Sequence, residues 1–143
     1  MEDRTLPRIL VAVDDSCGGE NALEAAVTLA RQNGGLVTAI TVLEQTGNPA
    51  LDKLTEDFKT HARQRLEKLL QAAANFAHSR GVRLRTVLRE GHPADAIITC
   101  AEEEKADILF LGANREAGDR LGGTADQVSN HCPCTVVIAR KAA

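Results

Sequence analysis

The segment Leu111-GANREAGDRLGGTADQVSNH gathers residue types that suit an anion. Gly112 has no Cβ, so the backbone there can turn and come close to a ligand. Gly122, Gly123 and Thr124 stand directly ahead of a helical segment. Free backbone N–H groups and the positive end of a helix dipole favour phosphate at such a place. Thr124 adds a hydroxyl, and Arg115 and Arg120 add positive charge. The competing reading is a surface loop with ordinary glycines and a threonine cap. A second group, Asp14-Asp15-Ser16, ends an apolar run. Paired acids at a strand end can hold magnesium, but Asp15 and Ser16 serve equally well as caps for the helix that follows.

Other reactive residues give less. Ser16, Cys17 and His92 invite a reading as nucleophile and base, yet no third group that would orient a base is evident. Ser16 reads as a cap and His92 as a turn residue before Pro93. His131-Cys132-Pro133-Cys134 offers three soft donors, short of a fourth, at a spacing that fits no common zinc pattern. Alternation at a strand start explains it better, with one cysteine turned inward. No Gly-Lys-Ser/Thr and no Gly-x-Gly-x-x-Gly after a strand is present, so P-loop and dinucleotide fingerprints are absent. Arg83, Arg85 and Arg89 form a basic stripe, read as a solvated strand face paired with nearby acids. The Glu102-Glu103-Glu104 run reads as a solvated helix end.

The elements that position these residues follow from apolar periodicity. Ile9–Val13 is an unbroken branched run, a strand buried on both faces. Ala22, Leu23, Ala26, Val27 and Ala30 repeat at helical spacing, and Gly34 or Gly35 stops that helix. Leu36–Leu43 is a second buried strand. Leu54, Phe58, Ala62, Leu66, Leu69, Ala73 and Phe76 share the stripe of a long helix that ends at Gly81. Val82–Glu90 alternates apolar residues with arginines, the pattern of an edge strand wet on one side. Pro93 suits the first turn of a helix whose buried stripe is Ala94, Ile97, Ile98 and Ala101. Asp107–Leu111 is a fourth strand, Thr124–Asn130 a short helix and Thr135–Ala139 a fifth strand.

Alternating strands and helices predict right-handed crossovers and a parallel sheet covered on both faces. The fold class expected is α/β, a doubly wound five-stranded parallel sheet in order 3-2-1-4-5 with two helices on each face. One domain spans residues 1–143, the ordinary size for a single unit. In such a sheet a ligand crevice opens where strand order reverses, between strands one and four. Asp14 ends strand one and Gly112 ends strand four, so two loops distant in sequence flank it.

Composition narrows the partners. Apolar residues make up 43% and charged residues 26%, but Phe58, Phe76 and Phe110 are the only aromatics, so the core rests on Val, Ile, Leu and Ala. The formal charge of -3 argues against a nucleic-acid backbone binder. No apolar run is long enough to span a bilayer, and no membrane partner is expected. Met1-Glu2-Asp3-Arg4 lacks the apolar core of a signal peptide, so a cytoplasmic protein with its four cysteines reduced is expected.

Three segments, in order, resemble the universal stress protein family: Arg8-ILVAVDDS, Glu90-GHPADAIITCAEEEKADILFLGANR and His131-CPCTVVIAR. The resemblance covers nearly the whole chain. Its nucleotide-binding members carry Gly-x2-Gly-x9-Gly-Ser/Thr after strand four. Here Gly112 and Gly123-Thr124 match, Arg115 replaces the second glycine, and seven residues separate Arg115 from Gly123, two fewer than the pattern. The resemblance places Asp14 on the ribose and Val13 and Val42 around the adenine. The candidate binding set is therefore Ala12, Val13, Asp14, Val42, Gly112, Arg115, Gly123 and Thr124, with ATP or AMP as ligand and Mg2+ only alongside nucleotide. Arg8-ILVAVDDS also resembles the start of a response-regulator receiver. A receiver needs an Asp after strand three and a hydroxyl after strand four, where Glu90-Gly91 and Gly112-Ala113 stand.

The resemblance implies a stress-response regulatory protein that binds an adenine nucleotide with little or no catalysis, at most slow ATP hydrolysis. The alternative is a structural or interaction module of the same fold without nucleotide. The last strand is an apolar edge that invites a homodimer, and the resemblance implies antiparallel pairing of its two copies.

Overall fold

The computed structural model describes residues 6–14, 17–45, 56–112 and 123–139. The elements run β1 (Arg8–Ala12), α1 (Cys17–Asn33), β2 (Leu36–Glu44), α2 (Glu56–Ser79), β3 (Leu84–Gly91), α3 (Pro93–Glu103), β4 (Ile108–Gly112), α4 (Gly123–His131) and β5 (Thr135–Ala139). The strands form one sheet in the order β3-β2-β1-β4-β5, every neighbouring pair parallel. This is the doubly wound order expected from the sequence.

Period-two alternation divides the strands between two cores. Ile9, Val11, Val37, Ala39 and Phe110 face α1 and α2, with Ala22, Ala26, Val27, Ala30 and Ala77 opposite them. Leu10, Ile40, Leu109 and Leu111 face α3 and α4, against Ala94, Ile97, Cys100, Ala101, Ala125 and Val128. Ala22, Ala26 and Ala30 lie on one stripe of α1 and are all but fully buried, which lets that helix approach the sheet closely. Burying each Leu, Ile or Val in these layers stabilises the fold by about 1.5–3 kcal/mol before conformational entropy is set against it.

The α1 stop uses both glycines, for different reasons. Gly34 sits at φ +72°, the left-handed turn that L side chains avoid, and its N–H donates to the Ala30 carbonyl at 2.7 Å. At Gly35 the constraint is space: a Cβ would meet Ile9 Cδ1 at 2.9 Å and the Pro7 carbonyl oxygen at 3.0 Å.

Two expectations shift. The α2 stripe was extended too far toward the amino end: Phe58 is 75% exposed, and the buried positions are Leu70, Ala73 and Ala77. A helix of 24 residues is about 36 Å long. The strand beneath it has 8 residues and spans about 26 Å, so the first turns of α2 have no sheet to cover. Leu54 lies outside the described residues. The third strand starts at Leu84 and not Val82, and keeps its wet edge: Arg85 pairs with Glu104, and Arg89 Nη2 lies 2.7 Å from Glu103 Oε1. Two arginines of the basic stripe thus pair with two glutamates of the acidic run across β3 and the end of α3. Among the described residues no helix is long and apolar enough to cross a membrane.

Candidate functional site

The direction in which each crossover packs decides where the sheet opens. From β1 the chain moves outward through β2 and β3 with α1 and α2 on one face. It returns through α3 to β4 and continues through α4 to β5 on the other face. The carboxyl ends of β1 and β4 are therefore left uncovered by any connection between them, as the reversal of strand order requires.

A cavity of about 470 Å³ lies there, within the range of small-molecule sites. Ala12, Val13 and Asp14 line it from β1, Ile40, Thr41, Val42 and Glu44 from β2, and Leu111 and Gly112 from β4. The heads of two helices close it, Pro93 and Ile97 from α3 and Gly123, Thr124 and Ala125 from α4. Seven of the eight residues singled out in the sequence thus meet in one cavity, from four separate stretches of chain. The eighth, Arg115, lies outside the described residues, as do Arg120, Gly122, Asp15 and Ser16.

Local structure explains the placement. Ala12 is paired with Ile40, and the Val13 N–H donates to the Ile40 carbonyl at 2.9 Å, one residue beyond the end of β1. Val13 is buried by this extension, while the next residue, Asp14, is exposed at the mouth. On β2, Ile40, Val42 and Glu44 share a face by period two, so the wall grades from apolar to acidic toward solvent. Thr41 is the single buried polar side chain among the described residues, and none of their buried polar side-chain atoms lacks a hydrogen-bond partner. Gly123 opens α4, and a Cβ built there would meet nothing within 4 Å. Packing therefore does not demand glycine at that position; the space beside it is open.

The charge of the lining is uneven. Asp14 and Glu44 are acidic, and no Lys or Arg is among the described lining residues. Among the described elements, the amino ends of α3 and α4 supply the cavity's positive potential. His92 is the N-cap residue of α3 and makes no side-chain cap bond; its Nδ1 lies 3.7 Å from Asp95 Oδ2, with both side chains largely exposed. It is a turn residue, outside the cavity lining.

The crevice is wider than the topological argument allowed. The binding set read from the sequence lacked Ile40, Thr41, Glu44, Pro93, Ile97, Leu111 and Ala125. Ile40 and Glu44 were within reach, since they share strand parity with Val42. Pro93 and Ile97 required knowing that α3 packs against β2, which no local pattern encodes.

The sequence pattern of the Universal stress protein family matches residues 5–140. A universal stress protein of Methanocaldococcus jannaschii is 29% identical over 143 residues, covering 94% of this chain and 82% of its own. The solved structure of the universal stress protein UspA from Lactobacillus plantarum superposes with a TM-score of 0.86 at 26% identity, over 96% of this chain and all of that one. Two further solved structures have the same fold. A universal stress protein in complex with cAMP gives a TM-score of 0.74 at 21% identity, over 95% and 98% of the two chains. The universal stress protein from Archaeoglobus fulgidus in complex with dAMP gives 0.70 at 22%, over 94% and 98%.

Proposed function

The chain belongs to the universal stress protein family, and from that premise we propose that it is a regulatory module binding an adenine nucleotide, ATP or AMP, in the cavity over β1, β2 and β4. One observation carries this reading: Ala12, Val13, Asp14, Val42, Gly112, Gly123 and Thr124, scattered through the sequence, line a single cavity of nucleotide size. The adenine nucleotides held by the two related structures support the ligand class.

Each residue has a role that suits its chemistry. Val13 and Val42, with Ala12, give the base an apolar slot. The Asp14 carboxylate accepts hydrogen bonds from the ribose hydroxyls at the mouth. Gly112 lets the β4 end pass close to the sugar–phosphate link. Gly123 and Thr124 present donors at the head of α4, where the helix dipole favours a phosphate. Arg115 cuts both ways: its guanidinium can fork onto a phosphate, and its bulk can block the close approach that a glycine permits. Mg2+ enters only with the nucleotide. The proposed role is to hold the nucleotide, with hydrolysis at most slow.

A homodimer through β5 completes the proposal. β5 is an edge of the sheet and pairs only with β4 within the described chain. Its Val137 is 37% exposed, an apolar residue on an open ladder. Antiparallel pairing of two copies is two-fold and self-complementary.

Fluorescence of an N-methylanthraniloyl ATP analogue tests the ligand class. The signal should rise on adding protein and be displaced by ATP and AMP, but not by inorganic phosphate. A probe that shows no change at any protein concentration would favour the alternative, a module of this fold without nucleotide. The Arg115 substitution and the shortened loop are the observations on that side.

A further inference from the structure

Cys132 and Cys134 flank Pro133 in the turn that joins α4 to β5, and neither lines the nucleotide cavity. The expectation that one of them turns inward is corrected: both are half-buried at the margin of the α3–α4 core, and they turn the same way. The chain bends at Pro133 and Cys134 instead of entering β5 fully extended, which brings the i and i+2 side chains together. Their sulfurs lie 3.4 Å apart, in hydrogen-bond contact. A disulfide needs about 2.05 Å, so closure asks the two sulfurs to approach further.

Among the described residues no group of three or more His, Cys, Asp or Glu is placed to hold a metal ion. The pair therefore stands as a dithiol. We propose that Cys132 and Cys134 form a redox-active dithiol that exchanges with small-molecule disulfides and closes a reversible Cys132–Cys134 bond.

The order of attack follows from the proton. Burial, and then the hydrogen bond with Cys132, push the Cys134 thiol up to about 12. Either sulfur can donate across the 3.4 Å contact; with the proton held on Cys134, Cys132 is the attacking sulfur. The Cys132 thiolate attacks one sulfur of R–S–S–R. That bond breaks, RS⁻ departs, and Cys132 carries the mixed disulfide. With Cys132 bonded, the hydrogen bond that adds to the effect of burial on Cys134 is gone. Cys134 releases its proton to solvent, its thiolate attacks Cys132 Sγ, and the second RS⁻ departs. Two protein thiols are oxidised and one disulfide is reduced to two thiols. The ring, closed across a single residue, is strained and hence easily reduced again. Cys100 takes no part, because it is fully buried.

The test treats the pre-reduced, full-length protein with 2-hydroxyethyl disulfide and follows the tryptic peptide 121–140 by mass. The expected product is that peptide less two hydrogens, with no adduct. Cys134→Ser should accumulate the hydroxyethyl adduct on Cys132, and Cys132→Ser should react about tenfold more slowly. A lasting adduct on the unmodified sequence, linkage to Cys17 or between two chains, or no reaction while free cysteine is consumed would each overturn the dithiol. Equal rates for Cys132→Ser and the parent would overturn the order of attack. The parent peptide gives the decisive result without either variant.

Discussion

The Val13 N–H reaches the Ile40 carbonyl at 2.9 Å, extending the β1–β2 ladder one step past Ala12. That bond fixes where β1 ends, and so fixes Asp14 at the mouth of the cavity, beside the β2 residues that line it. Asp14→Ala should therefore weaken ATP and AMP binding alike. A hydrogen bond to a charged acceptor contributes about 1.5–3 kcal/mol, which corresponds to a loss of roughly tenfold to a hundredfold. Competition titrations of the two nucleotides would read it. Unchanged affinity would show that the ribose lies elsewhere.

Arg115 tests the phosphate half. The described lining carries Asp14 and Glu44 and no Lys or Arg, so a cation brought by Arg115 would add to what the amino ends of the helices supply. Arg115→Gly should weaken ATP more than AMP and flatten the salt dependence of ATP binding. Tighter binding in the variant would mean that the side chain obstructs the approach a glycine permits.

Glu90 gives a pH signature of the fold apart from the ligand site. Lys59 Nζ lies 3.2 Å from Glu90 Oε1, and Arg63 pairs with Oε2. The hydrogen bond from Lys59, seconded by Arg63, holds the Glu90 carboxyl below the usual carboxylate range despite some desolvation. A carboxyl lowered on folding contributes its stability above its unfolded value, about 4.3. The contribution is lost as pH falls through the lower folded value. The side chains are partly exposed, so the pair contributes about 0–1 kcal/mol. Glu90→Gln should lower the thermal midpoint slightly at pH 7, and the difference should vanish once the pH falls below the lowered folded value. A difference that persists at strongly acid pH would assign it to packing.

The β5 edge should control assembly. Sedimentation should give a dimer at micromolar concentration, and Val137→Lys, which sets a charge on the open ladder, should give a monomer with an unchanged circular dichroism spectrum. A parent monomer, or a dimer indifferent to this change, would remove β5 as the interface.

Much of the fold was legible in the sequence because a parallel sheet covered on both faces writes unbroken apolar runs. Ile9–Val13 and Asp107–Leu111 are such runs, and the arginines at 83, 85 and 89 marked β3 as an edge. Phe58 was misread because helical period persists where no sheet lies beneath it, and sequence does not tell how far a helix overhangs its strands. In the site, strand ends and helix heads were legible at Asp14, Gly112 and Gly123, where chain direction changes. Pro93 and Ile97 were not, since they join the cavity only through the packing of α3 on β2, and neither was Thr41, whose strand parity sets it opposite Val42. The nearness of Cys132 to Cys134 depended on a bend at Pro133 and Cys134, where an extended strand start had been assumed.

Calorimetric titration of the full chain with ATP and magnesium tests the central claim most directly. Saturable heat is expected, with one nucleotide per chain and a dissociation constant below about 1 mM, equivalent to at least about 4 kcal/mol of binding free energy. No heat at millimolar ATP would contradict it and place this protein among modules of the same fold that work without a nucleotide.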